Sequence, residues 1–166
     1  MVTAPLAISR PCYRLSDPRY PDLDGVGASM YPGRWNALGT RVVYAGATFA
    51  GAVLEALAHA GIGRLPPREW RRIEIPVGTL VTDVDGQDVP DWAAPECHAS
   101  QAFGTAWVTA ETSVALFVPS KPGAPVEQSV ILNPAHPDFA RLLISAPQPY
   151  VWDSRFRLEP PPRRGR

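Results

Sequence analysis

The sequence predicts a single α/β (α+β) domain with few helices, and three observations carry that prediction. The chain has 166 residues, enough for one domain that buries a real core and too few for two. Its twenty prolines are spread from end to end, and scattered prolines cut helices short and favour strands joined by rigid turns. Short β-branched runs between turn residues outnumber the stretches with helical periodicity.

The elements follow in order. Residues 13–15 form a short opening strand, and residues 17–33, rich in glycine and proline, form a long loop. A loop of that length in a compact domain is often functional. Residues 41–45 are a β-branched strand. Thr48 caps a helix that runs to Ala60 and ends at Gly61. Within it Ala50, Val53, Leu54, Leu57 and Ala58 recur at helical spacing as the core stripe, with Gly51, Ala52, Glu55 and His59 on its flank. Residues 72–77 alternate apolar and polar as a half-buried edge strand, and residues 80–84 continue the sheet. Residues 88–98 are irregular, and 101–110 form a second helix. The apolar run 113–118, stopped by Pro119, is the strongest strand. Residues 129–132 and 142–145 complete the sheet, with 150–153 as an optional further strand.

Composition excludes several function classes. Sixteen basic and sixteen acidic residues cancel, which argues against direct nucleic-acid binding. Arg163, Arg164 and Arg166, beside Pro160 to Pro162, read as a solvated tail. Cys12 and Cys97 are too few for a disulfide framework or a four-ligand metal site, and suit a reducing compartment. No signal peptide and no apolar run of membrane-spanning length is present, so the expectation is a soluble cytoplasmic protein. His59, His98 and His136 lack metal-ligand spacing, and structural or surface roles are expected of them. There is no P-loop, no dinucleotide fingerprint and no nucleophile elbow.

Chemistry concentrates at residues 31–36, Tyr-Pro-Gly-Arg-Trp-Asn. Arg34 offers a bidentate fork suited to a pyrophosphate, and Gly33 lets backbone approach a ligand. Tyr31 and Trp35 offer flat faces for stacking on a heteroaromatic ring. The competing reading is a core tryptophan with a structural arginine paired to a carboxylate.

The run from Tyr31 through Arg34 and Tyr44, followed by Glu55 to His59, resembles the hallmark of the RES domain family, named for an arginine, a glutamate and a serine. Residues 116–120, then 132–137, resemble its second hallmark, and Trp152-Asp153-Ser154-Arg155 its closing segment. The resemblance covers residues 13–157, with 1–12 as a lead-in and 158–166 as a flexible tail. It implies one domain with a central, mostly antiparallel sheet related to ADP-ribosyltransferases. It further implies a toxin that depletes NAD⁺, taken as substrate with no cofactor or metal, and an antitoxin partner of the Xre helix-turn-helix type. By motif position Arg34, Glu55 and Ser120 are the catalytic residues, and Tyr31, Arg34, Tyr44 and Asn133 bind NAD⁺. Ser129 departs from the family pattern, which leads one to expect asparagine there.

Breaking the nicotinamide–ribose bond passes through an oxocarbenium-like transition state. In that scheme Arg34 grips the phosphates, Tyr31 and Tyr44 hold nicotinamide and its ribose, and Glu55 stabilises the developing cation. Ser120 and Asn133 position phosphate, ribose or the acceptor. Water, phosphate or a protein side chain would each serve as acceptor at the same donor site. The rival is a non-catalytic interaction module in which Arg34 and Glu55 form a buried ion pair.

Overall fold

The computed structural model describes residues 1–20, 23–60 and 65–156. Its centre is a run of residues that alternate between two apolar layers. Strand β6 (Ala115–Pro119) sends Ala115 and Phe117 into one layer and Leu116 and Val118 into the other. Its antiparallel neighbour β7 (Gln128–Leu132) divides Val130 and Leu132 from Ile131 in the same way. Burial on both faces is why this part of the chain reads as continuous apolar sequence.

Around this pair the sheet has nine strands among the described residues. The others are β1 (Val2–Pro5), β2 (Arg10–Ser16), β3 (Val43–Gly46), β4 (Arg68–Ile75), β5 (Leu80–Asp83), β8 (Leu143–Ile144) and β9 (Gln148–Tyr150). The order is β1-β5-β6-β7-β3-β2-β4-β8, with β9 also on β4. Among the described residues only the β5–β6 pair is parallel, so the expected mostly antiparallel single domain is what the chain forms.

Three differences from the sequence reading have local causes. β1 went unread because all four of its residues are exposed, so it carries no alternation. β4 is no edge strand: β2 pairs along one side, and β8 and β9 take the other. The long loop contains a five-residue helix, α1 (Val26–Met30). It is started by the Asp24 carboxylate, which accepts from the Val26 N–H at 2.9 Å. Gly25 precedes it at φ +73, against the Val42 backbone.

Helix α2 (Phe49–Ala60) begins where Thr48 predicts, with the Thr48 hydroxyl accepting from the Gly51 N–H at 2.9 Å. Its buried face is not the expected stripe. Gly51, Ala52 and Val53 are buried, while Ala50, Leu54 and Ala58 are exposed. The cause is close packing: a Cβ on Gly46 of β3 would sit 2.5 Å from the Ala52 nitrogen, so small residues must face the sheet. Gly61 lies outside the described residues, as do residues 157–166 with the tail. Helix α3 (His98–Ala110) starts three residues earlier than expected and lays Phe103, Trp107 and Val108 on the second apolar layer. Among the described residues no helix is long and apolar enough to cross a membrane.

Candidate active site

Glu55 lies midway along α2, on the side that faces the ends of β6 and β7. Its Oε1 accepts hydrogen bonds from Ser120 Oγ at 2.9 Å and Ser129 Oγ at 3.0 Å. Ser120 follows β6 directly and Ser129 lies in β7; both hydroxyl residues are buried. The Ser120 oxygen also accepts from the Gly123 N–H at 3.2 Å, and the Ser120 N–H donates to the Glu127 carbonyl at 2.9 Å. A carboxylate is thus fixed by two hydroxyls that are 65 and 74 residues away in sequence.

The second half of the site is the segment 33–36. Tyr44, on β3, reaches it with its phenol, which accepts from the Trp35 N–H at 2.9 Å and donates to Asn36 Oδ1 at 2.7 Å. Asn36 Oδ1 also accepts from the Gly33 N–H at 2.9 Å. Gly33 is needed here because a Cβ would lie 2.6 Å from the Tyr44 oxygen. From the other side α3 holds the same segment: Gln101 Nε2 donates to the Gly33 carbonyl at 3.0 Å, and Thr105 Oγ1 accepts from the Ala37 N–H at 3.0 Å. Burial pushes the Tyr44 phenol well above its ordinary pKa, opposed by the Trp35 N–H. The Glu55 charge raises it further and the Arg34 charge lowers it.

Arg34 Nη1 donates to the carbonyls of Trp92 and Ala94, each at 2.8 Å. Between them, the Ala93 carbonyl accepts from Lys121 Nζ at 2.6 Å. Two cations thereby tie down residues 92–94. Among the described residues Arg34 forms no ion pair, with Glu55 or with any other carboxylate.

The structure joins Glu55 to Ser120 and Ser129, and ties the segment that carries Arg34 to Tyr44, whose strand pairs with that of Ser129. Tyr31 stands 79% exposed beyond α1, with its ring open to solvent. Two expectations need correction. Trp35 is a core residue, stacked on Trp92 at 6.1 Å and edge-on to Phe103, so its face is not open to a ligand. Asn133 is fully buried, with its amide donating to the Val108 carbonyl at 3.2 Å and its Oδ1 accepting from the Ala135 N–H at 3.0 Å. It follows the end of β7 away from Ser129, about 13 Å distant at roughly 3.3 Å per strand residue. Its side chain closes a turn.

Arg14 was not among the expected site residues. It donates from Nη1 to the Tyr44 carbonyl at 2.9 Å, and its Nε is buried without a partner. Cys12 and Ser16 on the same strand face are buried, so a charged residue between them at an inward position was the available clue. No group of three or more potential metal ligands exists among the described residues.

Comparison with known proteins agrees with this architecture. The RES domain family model matches residues 11–153. The Prs ADP-ribosylating toxin of Sphingobium sp. (strain YBL2) is 34% identical over 140 residues, spanning 81% of this chain and 86% of that protein. Toxin Res of Photorhabdus laumondii is 35% identical over 137 residues, covering 79% and 86%. The M. tuberculosis MbcT-MbcA toxin–antitoxin complex contains a chain of the same fold, with a TM-score of 0.70 at 19% identity, covering 88% of this chain and 86% of that one.

Proposed function

This chain belongs to the RES domain family, and from that premise we propose that it is the NAD⁺-degrading toxin of a toxin–antitoxin pair. The reaction is cleavage of the nicotinamide–ribose bond. The observation that carries the proposal is Glu55, a carboxylate held by Ser120 and Ser129 instead of a cation. A structural glutamate at such a place would be expected to neutralise an arginine. Among the described residues Arg34 is engaged through Nη1 alone, and by backbone carbonyls. That arrangement leaves a negative charge for an oxocarbenium-like ribose and a guanidinium for the pyrophosphate.

The roles follow from the groups present. Arg34 grips the pyrophosphate through Nη2 and Nε. Tyr44 and Tyr31 border the nicotinamide and its ribose. Glu55 accepts from a ribose hydroxyl and favours the cationic transition state. Nicotinamide leaves with the bonding pair as a neutral base, so no strong general acid is required. The acceptor oxygen bonds to the ribose carbon and releases its proton. Water as acceptor gives hydrolysis and inorganic phosphate gives phosphorolysis. A second reading, transfer of ADP-ribose to a protein side chain, is favoured by the relative named as an ADP-ribosylating toxin. The antitoxin we propose is of the Xre helix-turn-helix type, which would supply the DNA contacts that this near-neutral chain lacks.

The test is to incubate purified protein with NAD⁺, with and without phosphate, and follow nicotinamide and the ribosyl product by chromatography. Nicotinamide release that falls about a hundred- to a thousandfold in Glu55→Ala and Arg34→Ala is expected, and phosphate dependence names the acceptor. No release without a protein target, together with labelling of one when it is added, selects the second reading. No release and no labelling overturns both.

A further inference from the structure

We propose that Ser129 is a positioning residue for Glu55, fixing Oε1 so that Oε2 is the oxygen presented to the ribose. This rests on the function proposed above and assigns a role to a residue outside the arginine–glutamate–serine set.

Three observations carry it. First, both hydroxyls donate to the same oxygen, Ser120 Oγ at 2.9 Å and Ser129 Oγ at 3.0 Å. A carboxylate oxygen has two lone-pair directions, so Oε1 is saturated. Oε2 takes no hydrogen bond from the protein among the described residues. Second, Ser120 and Ser129 each have one hydroxyl proton and direct it at Glu55, while the Ser120 oxygen also accepts from the Gly123 N–H at 3.2 Å. Ser120 is free to lend its hydroxyl to substrate only if another group keeps Glu55 in place, and among the described residues Ser129 is the other side chain that bonds it. Third, the contact is built into the sheet. Ser129 pairs with Gly46 across β7 and β3, and the missing side chain of Gly46 is what lets α2 settle at 2.5 Å from its would-be Cβ. That close approach brings Glu55 within reach of a side chain as short as serine.

The asymmetry has a chemical consequence. Two donors on Oε1 lock the carboxylate plane and leave Oε2 as the oxygen open to the ribose. Glu55 then meets the ribose already oriented, and this preorganisation acts on the transition state more than on NAD⁺ binding.

The experiment uses the full chain and NAD⁺, comparing wild type, Ser129→Ala, Ser129→Thr and Glu55→Ala for kcat, KM and melting temperature. Ser129→Ala is expected to lower kcat about ten- to a hundredfold while KM for NAD⁺ stays within about twofold. Ser129→Thr keeps the hydroxyl on a residue suited to a strand and is expected to restore most of kcat. An active wild type with an unchanged kcat in Ser129→Ala overturns this proposal alone. So does a fall in kcat that follows a lowered melting temperature and is not restored by threonine. A wild type that neither releases nicotinamide nor labels a protein overturns the reaction itself, and this proposal with it.

Discussion

Gly104 sits in α3 where the helix crosses the segment that carries Arg34, and Gly104→Ala tests whether that crossing positions the site. An ideal Cβ on Gly104 would lie 1.9 Å from the Trp35 carbonyl oxygen and 2.9 Å from its carbon. Reaching ordinary contact at 3.4 Å requires α3 and the segment to separate by about 1.5 Å, since the obstacle is backbone and not a flexible side chain. Alanine in a helix interior gains about 1 kcal/mol over glycine, whereas overpacking of this kind costs about 1–3 kcal/mol or more. With a backbone obstacle the upper end applies, so a net loss of about 1–2 kcal/mol is expected. In a chain of this size that is a fall of about 2–8 °C in melting temperature. The displacement also strains the Gln101–Gly33 and Thr105–Ala37 hydrogen bonds and moves Arg34. A shift near 1 Å at a reacting group costs on the order of a hundredfold in rate, so nicotinamide release should fall more than tenfold at saturating NAD⁺. A thermal melt and the chromatographic assay together decide it. A raised melting temperature, or unchanged release, would refute the view that α3 sets the position of Arg34.

Two further outcomes follow from the same structure. Asn133→Ala removes a fully buried amide that serves Val108 and Ala135, and should cost about 1–3 kcal/mol in a denaturant titration with kcat unchanged; a selective loss of kcat would return Asn133 to the pocket. Burial, helped by Glu74, raises the Cys12 thiol to about 12. A group protonated in the fold and ionised when unfolded stabilises fully below its unfolded pKa, near 9, and that stability is lost as pH rises toward 12. Stability should therefore fall from about pH 9 upward with up to ~1.4 kcal/mol per pH unit from Cys12. Cys12→Ala should flatten the slope between pH 9 and 10, below the range where Tyr44 would add its own; an identical slope would show that the thiol is not the group responsible.

Sequence patterning located what is decided locally. Residues 113–118 announce a strand because both faces of β6 are buried, and Thr48 announces α2 because its hydroxyl caps the helix. What escaped is decided by contacts across the chain. The buried face of α2 was misassigned because periodicity ranks Leu54 above Gly51 and Ala52, yet helix–sheet distance at Gly46 demands the small residues. The parallel pairing of β5 with β6 leaves no local trace. At the site, Arg34 and Ser120 were legible as residue types in a recognisable order. Ser129 was visible only as a departure from a family pattern, and its hydrogen bond to Glu55 depends on strand register. Asn133 was misplaced because a motif position says nothing about which end of a strand a side chain closes.

The register between β3 and β7 also explains why the two halves of the site belong together. Tyr44 pairs with Ile131, and two residues along Gly46 pairs with Ser129. One pair sends a phenol to the segment carrying Arg34; the other sends a hydroxyl to Glu55. A slip of a single residue would turn both side chains to the opposite face of the sheet, so both contacts depend on this one register. The irregular segment 33–36 is held without secondary structure of its own, because Tyr44 anchors it to β3, whose partner β7 carries the Ser129 hydroxyl that holds Glu55.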